Sequence, residues 1–371
     1  MRDFICTTYR GEEDMAGAKR MRRRPGLGLG FGTIVACLGL VLTACQPGPE
    51  PSPTPSTPSA TSTPVPDASV HFTAQGDISL GNGARKVLDV IAGLKPQLNL
   101  ALGDLSYKAG KEQEFCDMVT GKLGTELPYQ LLTGNHESDG RDGQIEKFAR
   151  CLPNKLPGLE GDYGKQWRVD VPEENPVVRF IMVSPGIKFP DGPLDYSPGS
   201  DRWRWTESAI DEAKALRIPW TVVGMHVPCL SIGNYDCLAG REFTNMLIDK
   251  KVDLVLSGHD HVYQRTYQLG VGAQCPRLEP AAFSQGCLAD VDDTLEQGAG
   301  TVFVTVGVGG VGFYNIHNDD PEVDYFAATA GKNQNPAFGT LDVTATPSEL
   351  AARFVPAEGY NFTDSFMLQR K

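Results

Sequence analysis

Long runs of basic residues are missing from most of this chain. After residue 24 no run of lysine and arginine exceeds two residues, and the formal net charge is −12. Residues 1–44 contain seven Lys/Arg against four Asp/Glu and so carry +3, which leaves −15 on the remainder. Because the phosphate backbone of a nucleic acid requires a basic surface, we expect no nucleic-acid partner.

A full-length membrane span is also missing near the N-terminus. The uncharged run at 27–42 has sixteen residues, whereas a spanning helix needs about 20. Arg22-Arg23-Arg24 precedes this run and Leu42-Thr43-Ala44-Cys45 closes it, a pattern typical of a secretory signal. The closing residues resemble a bacterial lipobox. We therefore predict a signal peptide with a lipobox over residues 1–45 and an exported protein, held at the outer face of a bacterial cell membrane by a lipid on Cys45. An uncleaved transmembrane anchor is the alternative.

Residues 46–66 are almost entirely Pro, Ser and Thr. Such a segment cannot form a core and is expected to be an extended, semi-rigid linker. The remaining residues, 67–371, are long enough for one large α/β domain.

Cysteine pairs of the zinc-finger type are absent, since no C-x-x-C occurs. Six cysteines follow Cys45, and an even number in an exported chain favours disulfides. Several pairings are open, and the one we expect joins neighbours in sequence: 116–151, 229–237 and 275–287.

The distribution of apolar residues predicts an α/β fold. Seven apolar runs are typical of buried strands, at 70–75, 98–102, 129–133, 177–183, 220–224, 252–256 and 301–306. Helical patterns alternate with several of them, at 84–94, 112–123, 201–216 and 241–249. The C-terminal part instead contains short β segments without helices, at 339–343, 350–355 and 365–368. Two packed mixed sheets flanked by helices, in four α/β/β/α layers, accommodate both halves.

Histidine is scarce, with six in the chain, and two of the six lie together. His259 and His261 follow the strand predicted at 252–256. In extended chain, residues two apart point to the same side, so both imidazoles could bind a transition metal. A pair of hydrogen-bonded loop histidines is the alternative.

Further potential metal ligands follow four other predicted strands. In chain order the strand exits carry the motifs G-D, G-D-x-x-Y, G-N-H-E, H-x-P and G-H-x-H, which contain Asp77, Asp104, Tyr107, Asn135, His136, His226, His259 and His261. Since ligands in α/β proteins bind at the carboxyl ends of strands, we expect these side chains to form one site.

This ordered series resembles the calcineurin-like metallophosphoesterases, over a stretch from about residue 70 to the end of the chain. Gly103-Asp104-Leu105-Ser106-Tyr107 resembles the purple acid phosphatase branch. The wider superfamily begins with D-x-H, but Asp77-Ile78-Ser79 lacks that histidine, and the resemblance implies that Tyr107 supplies the ligand instead. It implies the following ligand sets: Asp77, Tyr107 and His261 for a first metal, Asn135, His226 and His259 for a second, and Asp104 as a bridge between them.

The charges of these ligands agree with the metals of that branch. Two carboxylates and a phenolate suit Fe(III) at the first site, whereas a neutral amide and two imidazoles suit Zn, Fe(II) or Mn(II) at the second. The resemblance implies an exported phosphatase in which a metal-bound hydroxide hydrolyses small phosphate monoesters. His136 is expected to protonate the leaving group, with Glu137 orienting His136. A phosphodiesterase or nucleotidase with the same metals is the alternative, and a non-catalytic surface binding module is a more distant one.

Two other features are weaker. Tyr235 lies nine residues after His226, where small mammalian-type relatives carry a second catalytic histidine, and is expected either to face substrate or to lie on the surface. Residues 307–312 match G-x-G-x-x-G, but the following residues do not predict the helix that a dinucleotide site needs. We expect a tight turn there.

Overall fold

Nineteen strands form the framework of the computed structural model, which describes residues 68–371. The predicted signal peptide, Cys45 and the linker at 46–66 lie outside these residues. The strands are β1 Val70–Gln75, β2 Leu98–Ala101, β3 Tyr129–Leu131, β4 Glu160–Asp162, β5 Gln166–Val171, β6 Val178–Met182, β7 Lys188–Phe189, β8 Gly192–Pro193, β9 Trp220–Gly224, β10 Leu254–Ser257, β11 Tyr263–Thr266, β12 Gln268–Leu269, β13 Leu288–Asp290, β14 Thr294–Glu296, β15 Val302–Val306, β16 Phe326–Ala330, β17 Gly339–Ala345, β18 Glu349–Pro356 and β19 Asp364–Gln369.

Most strands belong to two mixed sheets. The seven-stranded sheet has the order β14-β19-β18-β17-β1-β2-β3, and the eight-stranded sheet has the order β16-β11-β15-β10-β9-β6-β5-β4. In the first, β1, β2 and β3 are parallel while β17, β18 and β19 form an antiparallel meander. In the second, β6, β9, β10 and β15 are parallel. The C-terminal segments predicted without helices are this meander.

Five of the six α-helices in residues 68–371 cover the outer faces of the two sheets, and the four-residue helix at Asn135–Ser138 follows β3 at the carboxyl edge. The six helices are α1 Asn82–Leu94, α2 Glu112–Leu123, α3 Asn135–Ser138, α4 Ile145–Cys151, α5 Asp201–Ala215 and α6 Arg241–Asp249. Apolar residues of α1, α2 and α4 pack on the first sheet, and those of α5 and α6 pack on the second. Within residues 68–371, no helix combines the length and the apolar character needed to cross a membrane.

An apolar core lies between the two sheets and completes the four layers. Phe72 of β1 meets Phe180 of β6 edge-on, with ring centroids 5.0 Å apart, and Trp220 of β9 is fully buried in the same cluster. Burial of large aromatic side chains is the strongest source of hydrophobic stabilisation available to such an interface. The α/β/β/α sandwich predicted from the sequence is confirmed.

Several element bounds differ from the prediction. Residues 102 and 133 lie just beyond β2 and β3, because the chain there already turns into the glycine-led loops. Apolar periodicity is weak in the β4–β5 hairpin, the helix α4 and the strands β11, β14 and β16, and none of these elements was predicted. The three predicted disulfides are confirmed, since Cys116–Cys151, Cys229–Cys237 and Cys275–Cys287 are bonded.

Candidate metal centre

The candidate ligands lie at one edge of the sandwich, where the carboxyl ends of the parallel strands from both sheets meet. There Gly76 donates its N–H to Val306 O at 2.9 Å and accepts from the N–H of Gly309 at 2.9 Å. Glycine permits this approach: a Cβ on Gly103, whose φ is +93°, would lie 2.6 Å from both Gly134 N and His226 Nδ1. The glycines within the motifs therefore allow the two sheets to contact each other at the site.

Four candidate ligands have a left-handed backbone. The φ angles are 60° at Asp77, 54° at Asp104, 56° at Tyr107 and 67° at His259. Non-glycine residues adopt this conformation at a cost of about 1–3 kcal/mol each, and such residues cluster at functional sites. The concentration of strained residues at this edge is itself evidence for a site.

Tyr107 joins the first group of candidate ligands. Its hydroxyl lies 2.9 Å from Asp77 Oδ1, 3.1 Å from Asp104 Oδ2 and 3.1 Å from His261 Nε2. His261 Nε2 is in turn 3.4 Å from Asp77 Oδ1. The four side chains assigned to one metal by resemblance thus converge on one small volume.

Asp104 also belongs to the second group. The donor atoms of Asp104, His226 and His259 all lie within 4.8 Å of one another. His226 Nε2 is 3.3 Å from Asp104 Oδ1 and 3.2 Å from Asn135 Oδ1. Since Asp104 presents Oδ2 to the first group and Oδ1 to the second, its carboxylate lies between them.

The H-x-H segment is a turn, so the prediction of extended chain there was wrong. His259 has a positive φ, and Gly258 O accepts a hydrogen bond from Asp260 N at 2.8 Å. The turn is fixed because His259 N donates to Asp77 Oδ2 at 2.7 Å. Both imidazoles still reach the carboxylates, one in each group.

His136 lies beside the two groups and contacts Asp142, which was not among the predicted site residues. Its Nδ1 is 2.8 Å from Asp142 Oδ2 and its Nε2 is 3.7 Å from Asp104 Oδ2. A carboxylate accepts, so Nδ1 carries the proton and Nε2 faces the site. Asp142 comes six residues after His136, and this short separation in the sequence could have identified it as a partner of the imidazole.

Glu137 makes no hydrogen bond to the His136 ring, which pairs with Asp142, so the expectation that it orients this ring was wrong. Its buried carboxylate accepts hydrogen bonds from the backbone N–H groups of Asp104 at 3.1 Å, Gly134 at 2.9 Å and Leu105. Glu137 therefore fixes the loop that presents Asp104.

The electrostatics of the site favour a cation. Burial and the nearby His226 lower the pKa of His259 to about 4, which leaves its lone pair free at neutral pH. Burial, Asp77 and Asp104 raise the pKa of the Tyr107 phenol well above its ordinary value. His259 Nε2 is buried and has no hydrogen-bond partner among the described residues. Clustered carboxylates, a phenol and an orphaned imidazole nitrogen are a donor set that fits two metal ions.

Two tyrosines stack on the H-x-H imidazoles. Tyr235 lies on His259 with ring centroids 4.1 Å apart, and Tyr314 lies on His261 at 4.0 Å. Tyr235 is therefore at the site, and Tyr314 was missed because it lies in a polar loop without periodicity. The chain turns at 307–312 and no helix begins directly after it, as expected, since residues 313–322 are not helical; Gly312 O lies 2.8 Å from His261 Nδ1.

The histidines outside the motifs make no hydrogen bond to the clustered side chains in the described part of the chain. His71 Nε2 is 2.6 Å from Asp342 Oδ1 on the neighbouring strand β17, and His317 is exposed.

The family model of the calcineurin-like phosphoesterases matches residues 71–263, slightly more than half of the chain. The chain belongs to the calcineurin-like phosphoesterase family. The matched range contains every motif of the site, from Asp77 to His261.

Curated relatives of this chain point to the purple acid phosphatase-like branch. It is 27% identical to purple acid phosphatase 18 of Arabidopsis thaliana over 221 residues, which cover 57% of this chain and 48% of the relative. It is 25% identical to probable purple acid phosphatase 20 of the same plant over 209 residues, covering 53% and 46%. The match thus spans a little under half the length of these curated relatives.

A solved structure shares the fold of this chain. Purple acid phosphatase PPD1 from yellow lupin (Lupinus luteus) seeds has a TM-score of 0.61 to it at 17% identity, over 82% of this chain and 54% of that one.

Proposed function

We propose that this protein is an exported binuclear-metal phosphatase of purple acid phosphatase type that hydrolyses small phosphate monoesters. The observation that carries the proposal is the position of Tyr107. Its phenol oxygen lies within 3.1 Å of Asp77, Asp104 and His261, where the wider superfamily uses a histidine from D-x-H. A phenolate among carboxylates is a hard, anionic ligand, which favours a trivalent ion.

The proposed ligand sets follow the two groups of side chains. Asp77, Tyr107 and His261 would hold Fe(III), and Asn135, His226 and His259 would hold Zn, Fe(II) or Mn(II). Asp104 would bridge the two. When bound, such a metal pair supplies a nucleophile at mild pH by lowering the pKa of water and neutralises charge on the phosphoryl oxygens.

The protein's own side chains would prepare this chemistry. Glu137 and the glycine-led turns keep Asp104 in place, so that no ligand must reorganise during the reaction. His136, with its Nδ1 held by Asp142, presents Nε2 towards the site. As an imidazolium with a proton on each nitrogen, it would donate the Nε2 proton to the departing alkoxide and keep the Nδ1 proton bonded to Asp142.

Export is proposed together with the activity. The three disulfides are of the kind that persists in oxidising compartments. We propose the signal peptide at 1–45, a lipid on Cys45 that anchors the protein to the outer face of the cell membrane, the linker at 46–66 and a catalytic domain at 67–371.

The test is the visible absorption spectrum of the purified protein, with iron and zinc content determined on the same sample. We expect a phenolate-to-Fe(III) charge-transfer band that disappears in Tyr107→Phe. Tyr314→Phe is the matched control, because it removes a phenol oxygen beside the site while keeping the ring that stacks on His261. This control should keep the band.

A substrate comparison completes the test. We expect faster hydrolysis of p-nitrophenyl phosphate than of bis(p-nitrophenyl) phosphate. A colourless protein with two divalent ions would contradict the purple-type assignment, and a preference for the diester would favour the phosphodiesterase alternative. Absence of metal after reconstitution would favour a binding module.

A further inference from the structure

The imidazoles of the three histidines among the proposed metal ligands are held in place by different contacts. His226 Nδ1 lies 2.7 Å from Leu102 O, and His261 Nδ1 lies 2.8 Å from Gly312 O. Metal-binding histidines usually have such a partner, because it fixes the tautomer and the direction of the ring. Across the described residues, the His259 ring makes no hydrogen bond, and its Nε2 is buried without a partner. No hydrogen bond from the described residues therefore orients this ring.

Aromatic packing fills that role at His259. The Tyr235 ring stacks on the imidazole with centroids 4.1 Å apart and planes 29° apart. His226 meets the same imidazole edge-on, at 5.1 Å and 69°. An imidazole packed against both rings cannot rotate about its side-chain bonds without losing these contacts.

The loop that carries Tyr235 is itself fixed. The Cys229–Cys237 disulfide closes it. Asp260, the fully buried residue between the two histidines, accepts hydrogen bonds from the N–H groups of Asn234 at 2.9 Å and Tyr235 at 3.4 Å. The H-D-H turn thus fixes the position of the ring that packs on its own first histidine.

We propose that Tyr235 is a positioning residue, whose ring replaces the missing hydrogen bond and holds His259 in the orientation that binds the second metal. The inference rests on the proposed function. The Tyr314 ring stacks on His261 at 4.0 Å and 11°, but there the bond to Gly312 O orients the imidazole as well, so that stack is redundant.

The experiment titrates zinc into the purified, iron-loaded protein and measures bound zinc by equilibrium dialysis, with the charge-transfer band recorded in parallel. In Tyr235→Ala we expect roughly 10-fold weaker zinc binding and an unchanged band, because the first site is intact. Tyr235→Phe keeps the ring and should bind zinc like the wild type. Tyr314→Ala is the matched control and should lose about 3-fold or less.

If Tyr235→Ala binds zinc as tightly as the wild type, the inference is wrong while the proposed function stands. The same holds if Tyr235→Phe and Tyr235→Ala lose zinc affinity equally. A wild-type protein that holds one iron and takes up no second ion, whether Zn, Fe(II) or Mn(II), would refute the binuclear proposal and this inference with it. The band reports whether the variant is folded. Should Tyr235→Ala lose the band, Tyr235→Leu takes its place, because it fills similar volume without a planar face and makes the same prediction.

Discussion

The pair formed by Asp142 and His136 gives a sharp prediction for Asp142→Asn. The 2.8 Å contact joins side chains that are 28% and 29% exposed. Its interaction free energy should therefore lie between that of a surface ion pair, below about 1 kcal/mol, and that of a buried charged hydrogen bond, about 1.5–3 kcal/mol. We take about 1.4 kcal/mol, which corresponds to roughly a 10-fold change in rate.

The assay compares two leaving groups. If His136 protonates the leaving oxygen, Asp142→Asn should lower kcat roughly 10-fold for an alkyl ester such as glycerol phosphate. It should lower kcat by no more than about 3-fold for p-nitrophenyl phosphate, whose anion departs without a proton. Asp139→Asn is the matched control, since that residue of the same loop pairs only with the exposed Arg141 among the described residues. It should behave like the wild type.

Equal losses on both substrates would refute the reasoning, because Asp142 would then support the site in general and not proton transfer. An unchanged kcat on the alkyl ester would show that the pair has no role in leaving-group departure. His136→Ala sets the upper limit, since it removes the acid itself.

Two further predictions concern packing and pH. A Cβ on Gly134 would lie 2.0 Å from Asp104 Oδ1, so Gly134→Ala should lower the metal content per chain, whereas Gly93→Ala, with no neighbouring atom within 4 Å, should leave it unchanged. Burial raises the pKa of Asp253 to about 6 in spite of a hydrogen bond from Thr221 N. The folded state therefore keeps a proton that the unfolded chain releases, and the free energy of unfolding should fall by up to about 3 kcal/mol as pH rises from about 4 to above 6. Urea titrations of wild type and Asp253→Asn check this, since the variant should lack that pH-dependent contribution.

The candidate ligands could be predicted because their signal is local. Each follows an apolar strand and a glycine, as Asp77 follows β1 and Asp104 follows β2. Parallel strands bring such residues to one edge whatever the details of the loops. The fold class followed from the same alternation of strands and helices.

The supporting residues could not be predicted, because long-range contacts decide their roles. Tyr314 lies 53 positions after His261 in a loop without periodicity, and only the packing of that loop brings the two rings together. Glu137 was predicted to contact the wrong residue, because its three hydrogen bonds go to backbone groups, and sequence motifs do not show such contacts. The positive φ at His259 is likewise set by the contact of His259 N with Asp77.

The location of the site at the joint between the sheets has a mechanical consequence. Each proposed metal takes side chains from both sheets: Tyr107 follows β2 and His261 follows β10, while Asn135 follows β3 and His226 follows β9. The distance between the ligands of one ion is therefore set by the thickness of the apolar layer that separates the sheets. The volumes of the core side chains therefore affect the spacing of the proposed metal ligands as well as the packing of the core.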